Sequence, residues 1–290
     1  MADFSQIVQY AISGFTSGSI YSMVGVCWCV VFLVTGILNF STGEFVMLGG
    51  MLTWVFIGKG VGLVPAALLA VFCVVLVAVL MERLVIRPVR VPTETTFMVI
   101  TIAAASVIKG IVLMTCGSET RVIQSLVPDK RFLFLGATIT SQALLVLVVL
   151  LLIAIGLAWF FNRTLFGKAL RAAAINPRGA SLVGIRISLL SLFCFALAGG
   201  LGAVAGVVIA PITFTGYGVG LMTGMKGLVA AIVGGWSMTG TVMAGLALGL
   251  LEGLFSGLVW SGWRDAVALL VMIVFLVYRS LSTSTGVKKV

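Results

Sequence analysis

Long apolar stretches alternate with short polar intervals along the whole chain. No charged residue occurs in the 31 residues from 132 to 162 or in the 39 residues from 187 to 225. A helix needs about 20 mainly apolar residues to cross the hydrocarbon core of a bilayer, and several stretches reach that length. The pattern predicts nine membrane segments, which cover residues 9–33, 36–58, 61–83, 96–116, 139–161, 187–211, 218–237, 241–260 and 264–280.

These segments predict an all-α fold, a polytopic transmembrane helix bundle of about eight to ten spans that forms a single domain over residues 1–290. Nine crossings follow if every segment spans, and eight or ten follow if 37–59 or 217–237 is re-entrant. Small residues recur at helical spacing in 198–206 and 242–257. This spacing favours close helix packing, although glycines near mid-membrane also occur where transport sites break a helix.

Composition supports a bilayer as the solvent of this chain. It is 61% hydrophobic and 9% charged, with a mean hydropathy of +1.27, whereas soluble domains carry about 25% charged residues. Residues 1–6 contain an acid and no cation, so no cleavable signal peptide is expected. The chain has no histidine, its five cysteines lie mostly in apolar runs, and no catalytic motif stands out. We therefore expect no enzyme activity, metal site or cofactor.

The cations favour one set of loops over the other. One set holds eleven: Arg83, Arg87, Arg90, Arg163, Lys168, Arg171, Arg178, Arg186, Arg279, Lys288 and Lys289. The alternate loops hold five: Lys59, Arg121, Lys130, Arg131 and Arg264. The positive-inside rule predicts that the eleven-cation side is cytoplasmic, with the amino terminus outside and the carboxyl terminus inside. This topology explains the net charge of +10 better than nucleic-acid binding does, so no nucleic-acid partner is expected.

Polar side chains cluster at the start of the second apolar segment. The stretch NFSTGEFVMLGG begins at residue 39 and supplies Asn39, Ser41, Thr42 and Glu44. An acid inside the membrane is costly and often marks a solute pathway, so these four residues and Glu252 are candidate pathway residues. The alternative for both acids is a helix-packing contact. Two cations, Lys109 and Lys226, also fall within apolar segments and are expected to anchor helices at an interface by snorkelling.

The interval 162–186 contains five cations and no acid. Its first half has the composition of a short helix, Asn176 has the character of an N-cap for a second one, and Pro177 fits that helix's first position. Gly184 is the expected stop. Basic helices with apolar side chains suit docking into a groove on a partner; the alternative is a loop that only sets topology and binds anionic lipid. The apolar candidates are Leu165, Phe166, Leu170, Leu182, Val183 and Ile185.

These two stretches carry a resemblance to a known family. Asn39-Phe40-x-x-Gly43-Glu44-Phe45, followed by Met47-Leu48-Gly49, and the FGKALRA and Asn176-Pro177 pattern of 166–185 resemble the permease subunits of branched-chain amino acid (LIV-type) ABC importers. ERLVIRPVR at 82–90 also matches the family's first basic loop. The similarity covers essentially the whole chain. Thr42 departs from the family's usual histidine, and Ile175 and Arg178 stand where acids are common.

The resemblance implies a bacterial inner-membrane importer that works with two cytoplasmic ABC ATPase subunits, a homologous second permease and a periplasmic solute-binding protein. It implies that 162–186 is the cytoplasmic coupling loop. The implied coupling residues are Phe166, Gly167, Lys168, Arg171, Asn176, Pro177, Leu182 and Gly184. The chain lacks the phosphate-binding motif G-x-x-x-x-G-K-[ST], so ATP hydrolysis is expected in another subunit.

Two alternatives remain open at this point. Related permeases move urea, amides and other small polar solutes, and the departure at Thr42 leaves the solute undecided. A secondary transporter or channel would act alone and would use Glu44 and Glu252 with an ion gradient. No second intramembrane acid–base set is evident from the sequence, which disfavours that alternative.

Overall fold

A computed structural model describes residues 4–89, 93–258, 266–275 and 277 of the chain. Over these residues the chain is almost entirely helical. The helices are α1 Phe4–Thr35, α2 Thr42–Gly58, α3 Leu63–Met81, α4 Glu94–Cys116, α5 Ser141–Arg163, α6 Leu165–Ile175, α7 Pro177–Leu182, α8 Ile187–Thr213, α9 Val219–Val233, α10 Met238–Leu258 and α11 Ala266–Phe275. A π-helical turn, Glu82–Ile86, extends α3, and a hairpin of β1 Arg131–Phe134 and β2 Ala137–Thr140 precedes α5.

An apolar helix lies in each of the nine predicted segments. In the described part of the chain, six helices are long and apolar enough to cross a membrane: α1, α3 with its π-helical extension, α4, α5, α8 and α10. The other three, α2, α9 and α11, are shorter apolar helices. The predicted all-α polytopic bundle is therefore confirmed. Several predicted features lie outside the described residues, namely the end of the ninth segment and the cations Arg90, Arg264, Arg279, Lys288 and Lys289.

The hairpin was not predicted, because its apolar residues merge with the following span in the sequence. Phe134 pairs with Ala137, so only Leu135 and Gly136 form the turn. Both have positive φ, 52° and 81°, as the two central residues of a type I′ hairpin turn require. The side chain of Gln9 accepts a hydrogen bond from the Thr138 amide at 2.8 Å, which ties the hairpin to the start of α1.

Helix α1 forms the centre of the bundle and is buried from Ser19 through Val31. It packs antiparallel to α10 through glycines on both sides: a Cβ on Gly14 would lie 2.7 Å from the Gly249 carbonyl oxygen, and one on Gly18 would lie 2.8 Å from that of Gly245. Lipid provides no hydrophobic drive between helices, so stability depends on such close backbone contact. The prediction of close packing along 242–257 is confirmed.

Two of the shorter helices begin inside the bundle. Helix α2 runs beside α8, where Gly49 contacts Ala203 and Gly206 contacts Val46. The first turn of α2 is thus level with the middle of α8. There it meets the first turn of α9, at the contact between Gly43 and Gly220.

Helices α3, α4 and α5 form the outer layer. Only 22%, 11% and 22% of their most apolar windows are buried within the chain, compared with 83% for α1. Their exposed side chains are predominantly aliphatic, which fits contact with lipid or with another membrane chain.

Candidate functional site

The polar turn between α1 and α2 brings Asn39, Ser41 and Thr42 together, all fully buried. The Asn39 side-chain oxygen accepts from the Ser41 amide at 3.1 Å, and Thr42 Oγ1 donates to the Asn39 carbonyl at 2.7 Å. Ser41 Oγ donates to the carbonyl of Thr101 in α4 at 2.9 Å. Two hydrogen bonds therefore lie within the turn, and a third attaches it to α4 in the outer layer.

Glu44 lies in the first turn of α2 and is 3% exposed. Its carboxylate faces Gly220, where an added Cβ would come within 2.8 Å of Glu44 Oε2. Among the described residues, none donates a hydrogen bond to that oxygen. The positive end of the α2 dipole stabilises an anion here. Lys109 is the cation that acts on Glu44, and its ammonium lies 5.3 Å from the centre of the Tyr217 ring.

Glu252 lies in a different cluster and is completely buried. The Lys226 ammonium donates to Glu252 Oε1 at 3.0 Å and to the Tyr21 hydroxyl oxygen at 3.1 Å. The Tyr21 hydroxyl in turn donates to Glu252 Oε1 at 2.9 Å. This Tyr21–Lys226–Glu252 network joins α1, α9 and α10.

The network corrects two sequence-based expectations. Lys226 was expected to snorkel as an anchor, but it is 9% exposed and forms an ion pair. An intramembrane acid–base pair therefore exists where none was evident. The available signal was that two opposite charges occur in neighbouring apolar helices, since buried charges in membranes pair with one another.

A polar cavity of about 590 Å³ opens beside this network. Among the described residues that line it, Lys226 is the one that carries a charge. The five predicted pathway residues are buried, and none of them is among its lining residues. The lining residues are Gln9, Ile12, Ser13, Thr16, Ser17, Ile20, Tyr21, Thr138, Thr140, Ala143, Ile212, Thr213, Met222, Thr223 and Lys226.

Sequence reasoning missed this cavity. A signal was present in α1, where Gln9, Ser13 and Thr16 recur at helical spacing and form a polar stripe along one face of the helix. The stripe was overlooked as a candidate solute site because none of its residues is charged. Its partners come from β2, α5, α8 and α9, which are distant in sequence.

The interval 162–186 folds as predicted into two short helices with a bend. Asn176 caps α7, its side-chain oxygen accepting from the Gly179 amide at 2.9 Å, and Pro177 is the first residue of that helix. Gly184 has φ of 86°. Its amide donates to the Ser181 carbonyl while Ile185 donates to that of Ala180, both at 3.1 Å. These two bonds form a Schellman motif, which requires the left-handed residue.

The first of these helices is fastened to the end of α5. Arg171 donates to the carbonyl of Phe161 and, at 2.7 Å, to the side-chain oxygen of Asn162. Gly167 lies so close to the Phe160 carbonyl that a Cβ would clash with it. Of the predicted coupling residues, Gly167 and Arg171 therefore position the segment.

A mixed apolar and basic surface remains exposed on α6 and α7, and we call it the elbow surface. Two expected members are absent from it, because Leu170 is fully buried and Ile185 is partly buried against a hydrophobic cluster. Leu182 is 88% exposed. The exposed members are Leu165, Phe166, Lys168, Ile175, Arg178, Leu182 and Val183.

Comparison with known sequences agrees with this geometry. Residues 10–276 match the family described as branched-chain amino acid transport system, permease component. The chain belongs to this family. It is 27% identical to the high-affinity branched-chain amino acid transport system permease protein BraD of Pseudomonas aeruginosa, over 96% of each chain. It is 28% identical to LivH, the permease protein of the same description in Escherichia coli, over 99% of each chain.

A further relative has a different solute in its name. The autoinducer 2 import system permease protein LsrC of Yersinia pestis is 29% identical, and the match covers 91% of this chain and 75% of LsrC. The near-full-length matches to BraD and LivH confirm the resemblance seen in the two motifs. This family member is a multi-pass membrane permease, and its relatives are permease subunits rather than enzymes.

Proposed function

We propose that the chain is a permease subunit of an ABC importer in the bacterial inner membrane, which moves branched-chain or related small amino acids. A homologous second permease completes the pathway, and a periplasmic binding protein delivers the solute. Two cytoplasmic ABC ATPase subunits grip the coupling helices of the two permeases, one of which presents the elbow surface. The observation that carries this proposal is the elbow surface itself. Helices α6 and α7 are basic, and Arg171 holds α6 against the end of α5. Their exposed apolar side chains indicate contact with a protein partner.

The proposed orientation has the elbow surface and the carboxyl terminus in the cytoplasm and the amino terminus outside. The packing supports opposite sides for the elbow surface and the amino terminus. The start of α1 is bonded to the hairpin before α5, whereas α6 packs near the far end of α1, at Val30 and Val34. Labelling of Lys168→Cys in intact cells tests this orientation, because an external reagent that cannot cross the membrane should leave it unmodified.

We propose that Asn39, Ser41, Thr42, Glu44 and Glu252 act in the pathway. Their burial at the interior meeting point of α2 and α9, or beside Lys226, supports a role in gating and positioning. Helices that begin at mid-membrane offer polar groups to a solute at low cost, as in other transporters.

Reconstitution tests the assignment as a whole. The chain with its partner permease, ATPase and binding protein in proteoliposomes should take up L-leucine only when ATP is supplied. The chain alone should show no uptake. Uptake by the chain alone, driven by a proton or sodium gradient, would contradict the proposal and support a secondary transporter. The buried Lys226–Glu252 pair is the feature that such a transporter would use.

Coupling is tested at Gly184, where the exposed backbone leaves room for a side chain but has positive φ. In Gly184→Asp we expect ATP hydrolysis to continue while L-leucine uptake falls, since an acid is added beside the docking surface. Gly184→Asn is the matched control, because asparagine tolerates the same backbone conformation without the charge. Equal, normal uptake by both variants would argue against the elbow surface as the coupling element.

A further inference from the structure

We infer that the polar cavity binds a zwitterionic solute and that the Lys226 ammonium receives the solute's carboxylate. The inference rests on the proposed importer function and names the chemistry of recognition inside the membrane. It assigns a role to a residue that the sequence suggested only as an anchor.

The cavity has the size and composition of a small-molecule site. Its volume of about 590 Å³ falls within the range of about 300–1,000 Å³ that is usual for such sites. One end is marked by Thr138 and Thr140 of the hairpin and by Gln9, and Tyr21 and Lys226 lie deeper along α1 and α9. A solute that enters beside the hairpin therefore passes hydroxyl groups before it meets the charge.

The arrangement of the ion pair presents a positive charge to the cavity. The Lys226 side chain is 11% exposed and lines the cavity, whereas the Glu252 side chain is 0% exposed and lies behind it. A solute in the cavity thus meets the cation directly and is shielded from the anion. Because the Lys226 side chain is mostly buried, attraction between this ammonium and a carboxylate is stronger than on a protein surface.

Glu252 and Tyr21 act as positioning residues for this ammonium. They keep a lysine charged inside the membrane, which would be costly without a nearby opposite charge. The Tyr21 hydroxyl bonds both members of the pair, and the Lys226 ammonium lies 5.1 Å from the centre of the Tyr21 ring. A lysine head on a flexible stem can be shared between Glu252 and an arriving carboxylate.

The remaining lining suits the other two parts of a small amino acid. Hydroxyl oxygens can accept hydrogen bonds from its ammonium group, and aliphatic side chains can contact its apolar side chain. The hydroxyl-bearing residues include Ser13, Thr16 and Thr223, and the aliphatic ones include Ile12, Ile20 and Met222.

Exchanging the charges of Lys226 and Glu252 distinguishes a role of the ion pair in solute binding from a purely structural role. The double variant Lys226→Glu/Glu252→Lys keeps the ion pair but turns a carboxylate toward the cavity. In the reconstituted complex we expect maximal ATP-driven L-leucine uptake to fall about tenfold or more, as for a lost charge-assisted contact. The concentration of loaded binding protein that gives half-maximal uptake should not change. Wild-type uptake by this variant would overturn the inference, because a purely structural pair would be rescued by the exchange.

A labelling experiment decides the same question without transport. In Thr223→Cys, high L-leucine should slow modification by a thiol reagent, and 3-methylbutylamine, which has the same side chain but no carboxylate, should not. The protection should disappear when Lys226→Gln/Glu252→Gln is added, a neutral pair that leaves no buried charge uncompensated. The chain without Thr223→Cys is the control for the native cysteines.

The outcomes distinguish this inference from the proposed function. Equal protection by the amine and the amino acid, or protection that survives the neutral pair, would overturn the inference and leave the importer assignment intact. A wild-type complex that takes up no L-leucine with ATP would contradict the proposed function, and the labelling result would still decide the inference. If the charge exchange prevents folding, judged by size-exclusion chromatography in detergent, the neutral pair replaces it in the uptake assay.

Discussion

Glu44 and Glu252 are both buried acids of this bundle, and their surroundings differ. Glu44 stands at the start of a helix, against a glycine, with the helix dipole and Lys109 as its sources of positive potential. Glu252 lies within a helix and has a lysine and a tyrosine in direct contact. The first environment leaves the carboxylate able to accept new partners, whereas the second commits it to a fixed network. Two acids with similar cost in the membrane thus suit different tasks.

The largest effect is expected from breaking the ion pair on one side. Lys226→Ala leaves the buried Glu252 charge uncompensated and should lower the free energy of unfolding by about 3–5 kcal/mol. The measurement is reversible unfolding in mixed micelles. Lys226→Gln/Glu252→Gln is the matched control and should lose much less, since it removes both charges. An equal loss in both variants would show that charge compensation is not the source of the stability.

The next effect concerns the glycine contact beside Glu44. In Gly43→Ala the added methyl group meets the Gly220 carbonyl, so α2 and α9 must separate. We expect a loss of about 1–3 kcal/mol, as for overpacked interiors, together with reduced uptake. Gly58→Ala is the control, because nothing lies within 4 Å of the Cβ position at that end of α2. A loss no greater than that of the control would mean that the two helix starts separate freely.

A smaller effect is expected from removing the hydroxyl that joins the pair. Tyr21→Phe deletes the hydrogen bonds with Glu252 and Lys226 but keeps the ring. The expected loss of unfolding free energy is about 0.6–1.7 kcal/mol, from the mean to the maximum found for hydrogen bonds between membrane helices. Tyr10→Phe, on the same helix, is a control for the loss of a hydroxyl group alone. If Tyr21→Phe lowered the free energy of unfolding as much as Lys226→Ala, then Tyr21 would be the main residue that stabilises the buried Glu252 carboxylate.

The smallest effect on stability is expected at Glu44. Glu44→Gln removes the charge from a carboxylate whose Oε2 accepts no hydrogen bond from any described residue, so unfolding free energy should change by less than about 1 kcal/mol. Uptake should nevertheless fall, because the pathway loses its acid. Both quantities can be measured on the same preparation. Unchanged uptake with reduced stability would assign Glu44 a packing role.

Local features of the fold were predictable from the sequence. Asn176, Pro177 and Gly184 act through backbone groups a few residues away, so their spacing predicts where α7 begins and ends. The spans were predictable because a bilayer demands long apolar helices. Which way a side chain points was harder: Leu170 was expected outside and is buried, since its direction depends on how α6 lies against α1.

Contacts between distant parts of the chain could not be predicted from a single sequence. Tyr21 and Lys226 are 205 residues apart, and nothing local in either segment indicates the other. The cavity is formed by five elements, α1, β2, α5, α8 and α9, and is visible only after they pack. Only weak signals, the unexplained lysine in α9 and the polar stripe in α1, pointed toward it.

Helix α5 joins the two regions where this protein meets its surroundings. Its last residues hold α6 through Arg171, and Ala143 in its first turn forms part of the cavity wall, next to its N-cap residue Thr140. A helix of 23 residues is stiff along its axis, so a push on α6 that preserves the Arg171 bonds must displace the whole rod. If an ATPase subunit pushes on α6, as we propose, that displacement therefore reaches the wall of the polar cavity without any relay of side chains.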